Sequence, residues 1–421
     1  MGLRSKATEL FATACRAADP AEALTAALDS RLLPRPDPGG EYLVVALGKA
    51  AIPMAERLLQ VLRTPCRALV ITNYENARDL PGATVLAAGH PVPDENGARA
   101  AIALEDMLKG ATAADRVIAL ISGGGSALVP APVAGLSLED KAAVSRLLLS
   151  NGFEITEMNF IRQQLSRLKG GGLLRAAAPA PVSAYILSDV IGDDLRVIAS
   201  GPTVAPIGTA AEARALLQDR GLWSELPASA RAALERAPVS TEILPAAQNL
   251  LIGSNRQSLD AVCAAFGPGA TIVDDRLVGD VGDAAAKIVS AAQNADSKDM
   301  HCLVFGGETT VTLRGNGLGG RNQELALRVA MAMPALGRDW AFLSGGTDGR
   351  DGPTDAAGGL VDAGTVARIR SAGAEPEALL ANNDSNKALA LAGDLLVTGA
   401  TGTNVADVQI LLLGNGAPGP A

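Results

Sequence analysis

Short apolar runs, each closed by Gly, Ser or Asp and followed by helical spacing, set the rhythm of this chain. Tyr42 to Leu47 is an unbroken run that ends in Gly48-Lys49 and feeds a helical period over 50–62. Residues 116–121 run into Ser122-Gly123-Gly124-Gly125-Ser126, and residues 182–187 into Ser188-Asp189. Further strands are predicted at 68–72, 84–87, 270–274, 301–305, 340–343, 395–398 and 408–413, and Leu250 to Asn255 restarts the strand–glycine–helix pattern. Helical periods cover 5–30, 95–108, 138–149, 157–168 and 283–295, and another begins at Arg321. Runs without alternation are strands covered on both faces, and strands that alternate with helices build an α/β protein. An Ala-rich helical stretch, 205–245, is punctuated by Pro227, Pro238 and Pro245. It places a domain boundary there and predicts domains at 1–240 and 241–421.

The stretch from Val304 to Leu327 concentrates the chemistry. An apolar strand turns through Gly306-Gly307 to Glu308, and a loop from Gly315 to Gly320 with four glycines empties into the helix opened by Arg321. Bare amides at a helix N-terminus suit an anion, and Arg321 adds a fixed cationic fork. Gly319 and Gly320 are therefore phosphate-binding candidates. Gly315, Gly317 and Gly320 also match the G-x-G-x-x-G spacing of dinucleotide folds, but the preceding segment alternates Thr and Val, and the helix opens with four polar residues. A dinucleotide fingerprint would put small apolar residues there. A hairpin tip before an ordinary capped helix is the plain alternative.

Composition narrows the classes. The 421 residues suffice for two or three domains, and with 3% aromatics the core must be built from Ala, Leu and Val. A net charge of −9 argues against nucleic acid or an anionic membrane surface as partner. Cys15, Cys66, Cys263 and Cys302 have no paired spacing, which speaks against a local metal motif and fits a reducing, cytoplasmic setting. Met1 to Ala18 lacks a secretory leader's apolar centre, and no run is long and apolar enough to span a membrane. Formation of a homo-oligomer is compatible with the sequence and is not fixed by it.

Two histidines, His90 and His301, give little support to a triad, and neither Ser122 nor Ser344 lies in G-x-S-x-G. The inventory is cationic and carboxylic. Ser122, Gly123, Gly124, Gly125 and Ser126 form a second anion loop, whose amides and two hydroxyls would face a ligand. Lys49 is a phosphate ligand or a solvated loop lysine. Asp189, with Asp193 and Asp194 beyond it, suits a hard cation such as Mg2+, or serves turn and cap chemistry. Glu308 and Asp348 are further metal candidates, and Asn255 a ligand candidate at its strand–helix turn. Arg162, Arg167 and Lys169 read as a solvated face. This is equipment for phosphoryl transfer, in which positioning and charge neutralisation do most of the catalysis.

Ordered strings carry a resemblance: LGKAA from Leu47, GHPVPDENG from Gly89, LISGGGSAL from Leu120, SDVIGDD from Ser188 with SGPT from Ser200, GSNRQSL from Gly253, FGGETTVTL from Phe305 with GGRNQELAL from Gly319, SGGTDGRDGPTDAAGG from Ser344 and TGTNVADVQILL from Thr401. They resemble the glycerate 2-kinase family, whose C-terminal part is the MOFRL domain and whose members have often been labelled hydroxypyruvate reductase. The resemblance covers about 11–413. It implies ATP-dependent phosphorylation of D-glycerate to 2-phosphoglycerate with a divalent metal. It implies two α/β domains, an N-terminal Rossmann-like parallel sheet and a C-terminal mixed α/β/α sheet, with the site in the cleft between them. It assigns the family's essential lysine to Lys49, its arginine to Arg321 and its aspartate to Asp189. The alternatives are an NAD(P)H-dependent hydroxypyruvate reductase and a non-catalytic sugar- or nucleotide-binding protein.

Overall fold

A computed structural model describes residues 2–31, 33–62, 64, 66–236, 244–296 and 299–415. The chain divides into two compact units, one of residues 23–252 and one of residues 1–22 with 253–421.

The 23–252 unit is built on β1 (Tyr42–Leu47), β2 (Cys66–Asn73), β3 (Thr84–Ala88), β4 (Arg116–Ile121), β5 (Val182–Leu187) and β6 (Ala247–Gly253), in the order β3-β2-β1-β4-β5-β6. The pairings among β1 to β5 are all parallel. Every residue of β1 is buried, as its unbroken apolar run requires. Leu43, Val45 and Leu47 pack with Ala100, Ala101 and Leu104 of the helix Glu95–Leu108. That helix starts where Asp94 accepts a hydrogen bond from the Gly97 amide. Strand order reverses direction at β1 and β4, and in such sheets ligands gather outside the strand C-termini at that switch point. A separate helical core packs Val144, Leu148, Phe153, Ile161, Leu217 and Leu234.

The other unit holds β7 (Ala270–Asp280), β8 (His301–Thr310), β9 (Trp340–Gly346), β10 (Gly358–Asp362), β11 (Leu395–Leu396) and β12 (Asp407–Leu413), ordered β11-β10-β9-β12-β8-β7. β7 and β8 are parallel and the remaining pairings antiparallel. Period-two geometry sorts the apolar residues onto two faces. Leu411 and Leu413 join Phe305, Phe342, Ile288, Leu325 and Val329, whereas Val408, Ile410 and Leu412 join Val304, Leu10, Phe11, Leu259 and Val262. Helices thus cover both faces of a mixed sheet, as the resemblance implies.

Three local readings change. The helix read over 5–30 is two helices, Leu3–Ala17 and Pro20–Ser30, because Asp19 accepts from the amides of Ala21 and Glu22 and Pro20 opens the second. The division expected at 240 lies at 252, since β6 completes the first sheet, and the first 22 residues belong with the C-terminal unit. β10 escaped the pattern because it opens Gly358-Gly359; a Cβ at Gly358 would lie 1.9 Å from the Ser344 carbonyl oxygen. All four cysteines are free thiols.

Candidate active site

The switch point of the 23–252 unit is where its chemistry collects. Gly48 (φ +119°) turns the chain out of β1, and a Cβ there would meet Ser122 Oγ at 2.3 Å, so the position requires glycine. The turn after β1 is zipped to the turn after β4. The Lys49 amide donates to the Gly123 carbonyl at 2.9 Å, the Ala50 amide to Ser122 Oγ at 3.0 Å and the Ser122 hydroxyl to the Leu47 carbonyl at 3.3 Å. The same locking brings in the turn after β5. Gly123 leaves room for Asp189, whose Oδ2 would stand 2.0 Å from a Cβ at that position. A Cβ on Gly124 would stand 3.3 Å from Lys49 Cγ and 3.1 Å from His90 Cδ2. Lys49, Gly123, Gly124, His90 and Asp189 therefore meet outside β1, β4 and β5. Lys49 is half-buried. His90 is held below its usual pKa by burial and by the Lys49 charge, with Glu75 pulling the other way.

The Ser122–Ser126 turn departs from its reading in one respect: its hydroxyls do not both face outward. Ser122 is buried, and its hydroxyl is spent on the two backbone groups named above. Ser126 Oγ lies 2.9 Å from Ser200 Oγ. The basic residues that follow are not a solvated face either. Lys169 is buried and donates to the carbonyls of Ser126 (2.7 Å) and Val129 (3.3 Å). Lys141 is buried too, donating to the Pro130 and Leu165 carbonyls. Burial drives both ammonium groups well below the usual lysine pKa. Arg167 alone fits the surface reading, paired with Glu105 at 2.7 Å.

In the other unit, Arg321 opens the helix Arg321–Ala332 and is clamped. Its Nε and Nη2 donate to the two carboxylate oxygens of Asp407 at 2.6 and 2.9 Å, and Nη1 reaches Glu308 at 3.1 Å. Asp407, at the start of β12, is fully buried; burial pushes its pKa up to about 6 while Arg321 pulls it back. Burial opposes the charge on Arg321, but the pairing with Asp407 outweighs it and holds the guanidinium above its ordinary range. Asn255 is buried and its amide nitrogen donates to the carbonyls of Val405 (2.8 Å) and Asp407 (2.8 Å), which fixes the β12 entry, while its Oδ1 is buried without a hydrogen-bond partner.

The loop before that helix is not an open anion cradle. Arg314 and Gly315 amides donate to Asn383 Oδ1 (2.7 and 3.0 Å), Gly317 to the Asn382 carbonyl (2.9 Å) and Leu318 to Asp384 Oδ1 (3.2 Å). The helix N-terminus already has its anion. Asp351 accepts from the amides of Asn322 (3.1 Å) and Gln323 (2.9 Å) and from Gln323 Nε2 (2.9 Å). A Cβ at Gly319 would lie 2.2 Å from Ser385 Oγ, and one at Gly320 2.3 Å from Asp351 Cγ. Those glycines permit close packing against Ser385 and Asp351. The dinucleotide spacing is explained by the same packing.

The metal candidates do not form a cage. Glu308 pairs with Arg321, Asp348 Oδ1 accepts from the Arg350 amide at 3.0 Å, and Asp189 belongs to the other unit. Among the described residues no three His, Cys, Asp or Glu side chains converge on a cation. Sequence reasoning missed His90, Asp351 and Asp407. Only His90 carried a signal, as one of two histidines and at the end of a strand in a stiff Pro-containing loop.

Comparison with known proteins identifies the family. Residues 6–235 match the model of a domain of unknown function (DUF4147), and residues 301–407 that of the MOFRL family. The chain is 37% identical to a glycerate 2-kinase of Pyrococcus horikoshii over 98% of both chains. It is 36% identical to a Homo sapiens glycerate kinase, over 98% of this chain and 94% of that one. The crystal structure of a Thermotoga maritima glycerate kinase superposes with a TM-score of 0.89 at 36% identity, covering 98% of this chain and 99% of that one. With relatives this similar along nearly its whole length, the chain belongs to the glycerate 2-kinase family.

Proposed function

We propose that this protein transfers the γ-phosphoryl group of ATP to the C2 hydroxyl of D-glycerate, giving 2-phosphoglycerate and ADP. The observation that carries the reading is the meeting of Lys49, Gly123 and Asp189 at the sheet's switch point, in a chain of this family. Asp189 accepts the proton of the C2 hydroxyl as the oxygen attacks phosphorus. The bond between the γ-phosphorus and the bridging oxygen breaks, and ADP leaves with that electron pair. Lys49 neutralises the phosphate oxygens, and Arg321, held rigid by Asp407, adds a second cation. The amides of the Gly123–Gly125 turn serve the phosphate oxygens.

Magnesium fits the donor set as an ion carried on the nucleotide. Phosphoryl-transfer sites hold Mg2+ with only one or two carboxylates besides the phosphates, and separate carboxylates are what the chain offers. In the 23–252 unit Asp189 is the carboxylate that would hold it; in the other unit Asp348 is the candidate, since Glu308 is paired with Arg321. The ion would offset charge on the phosphates. Among the described residues no helix is long and apolar enough to cross a membrane, and four free thiols fit a cytoplasmic location.

Phosphorus NMR of the product from ATP, Mg2+ and D-glycerate tests the reading. A 2-phosphoglycerate resonance supports it. The 3-phospho isomer, or no product alongside NADH oxidation by hydroxypyruvate, overturns it.

A further inference from the structure

Three basic side chains in the 23–252 unit cluster without an acid. Lys141, Arg162 and Lys169 lie close enough that their charges act on one another. None forms an ion pair with a carboxylate among the described residues. The lysines are satisfied by backbone carbonyls and can shed protons when buried. Arginine cannot. Arg162 is largely buried, its Nε is shielded from solvent without a hydrogen-bond partner, and burial alone opposes its charge. A guanidinium left this way is costly unless an anion completes it.

The surroundings indicate which anion. Arg162 shares a face of the helix Ile155–Gln164 with Asn159, three residues earlier. Asn159 Oδ1 accepts from the Ser200 hydroxyl at 2.8 Å, and Ser200 Oγ meets Ser126 Oγ at 2.9 Å, in the turn whose preceding glycines adjoin Lys49 and Asp189. Ala199 (φ +49°) and Ser200 (φ +61°) are consecutive non-glycine residues in the left-handed region. Such conformations persist only where the surrounding structure enforces them, and they cluster at ligand sites. Here the side chain held is the Ser200 hydroxyl.

Resting on the glycerate reading, we propose that Arg162 binds the carboxylate of the hydroxy acid, with Lys169 behind it and the Ser126–Ser200 hydroxyl pair beside it. Arginine's planar fork matches a carboxylate with two parallel hydrogen bonds. This gives a reason for an acid substrate in place of its neutral alcohol or amide. The closing experiment is calorimetric titration of the full-length protein with D-glycerate and with D-glyceramide. The parent should bind the acid and discriminate strongly against the amide. Arg162→Met should weaken D-glycerate binding about 10- to 100-fold, the range for a hydrogen bond to a charged group, with the KM for ATP within twofold; Arg162→Lys should recover part of the loss. Arg162→Met binding D-glycerate within threefold of the parent overturns the site. So does a parent that binds amide and acid equally, a result that needs no variant to fold. Product formation separates the two readings. A parent that binds D-glycerate through Arg162 but forms no 2-phosphoglycerate keeps the carboxylate site and loses the kinase assignment. A parent that forms product while Arg162→Met binds normally loses the site alone.

Discussion

Two glycine-rich turns look alike along the chain and differ in kind. Ser122–Ser126 follows a buried parallel strand at the point where the sheet's order reverses, and Lys49, His90 and Asp189 gather around Gly123 and Gly124. Gly315–Gly320 follows a mixed-sheet strand and is folded against Asn382–Ser385, which take up amides of the loop, while Asp351 occupies the helix start it leads to. In the first turn glycine makes room for the side chains of Lys49, His90 and Asp189. In the second it makes room for neighbouring backbone and the residues that cap it. Glycine spacing does not distinguish these roles; the partners of the amide hydrogens do.

The comparison can be broken most forcefully at the cations that flank the turns. Lys49→Met and Arg321→Lys should each lower kcat about 100- to 1,000-fold, the scale for losing one transition-state charge contact. Steady-state ADP release measures this, and an Arg321→Lys enzyme within tenfold of the parent removes that arginine from the chemistry. Next is Gly123→Ala, whose Cβ would displace the Asp189 carboxylate; kcat should fall about 10- to 100-fold, in the range of a misplaced general base. Normal turnover in that variant would sever Asp189 from the reaction. Gly317→Ala sharpens the contrast. Its Cβ would meet the Asn382 carbonyl oxygen and Asp384 Cβ, each at 2.6 Å, so thermal unfolding should report a loss of about 1–3 kcal/mol from overpacking, with the KM for ATP within twofold. A raised KM at unchanged stability would restore the loop as an anion site.

The smallest effect concerns pH. Because Asp407 sits near pKa 6 and clamps Arg321 only when ionised, kcat should fall as pH drops through about 6. Asp407→Asn should show a lower rate with that limb gone. An unchanged limb would place the titration elsewhere, for instance at His90. The sign for stability is the reverse. Asp407's folded pKa lies above its unfolded value, so its contribution to stability is present at low pH and is lost as pH rises through about 6.

Much of the first sheet was legible in the chain. β1, β4 and β5 begin and end where the sequence places them, because a parallel strand buried on both faces carries few polar residues to blur it. The mixed sheet was read less completely. β10 offers two glycines and few side chains, and β11 is two residues long. Lys49 and Asp189 stood out because each closes an apolar run. The buried state of Lys141 and Lys169 did not show, since a lysine bonded to carbonyls has the same neighbours in sequence as one in water.

The succession of strands and helices along the chain, the glycine turns at the strand ends and the cationic and carboxylic residues placed there are local properties. Backbone sterics and hydrophobic period fix them within a few residues, and the sequence alone determined them. Which carboxylate meets which cation was decided only by the tertiary structure. Asp407 clamps Arg321 from 86 residues away, and the Asn383 side chain takes up loop amides 68 and 69 residues before it. Such pairs are set by strand order and packing, and a charge is held or freed according to how much water the fold leaves around it.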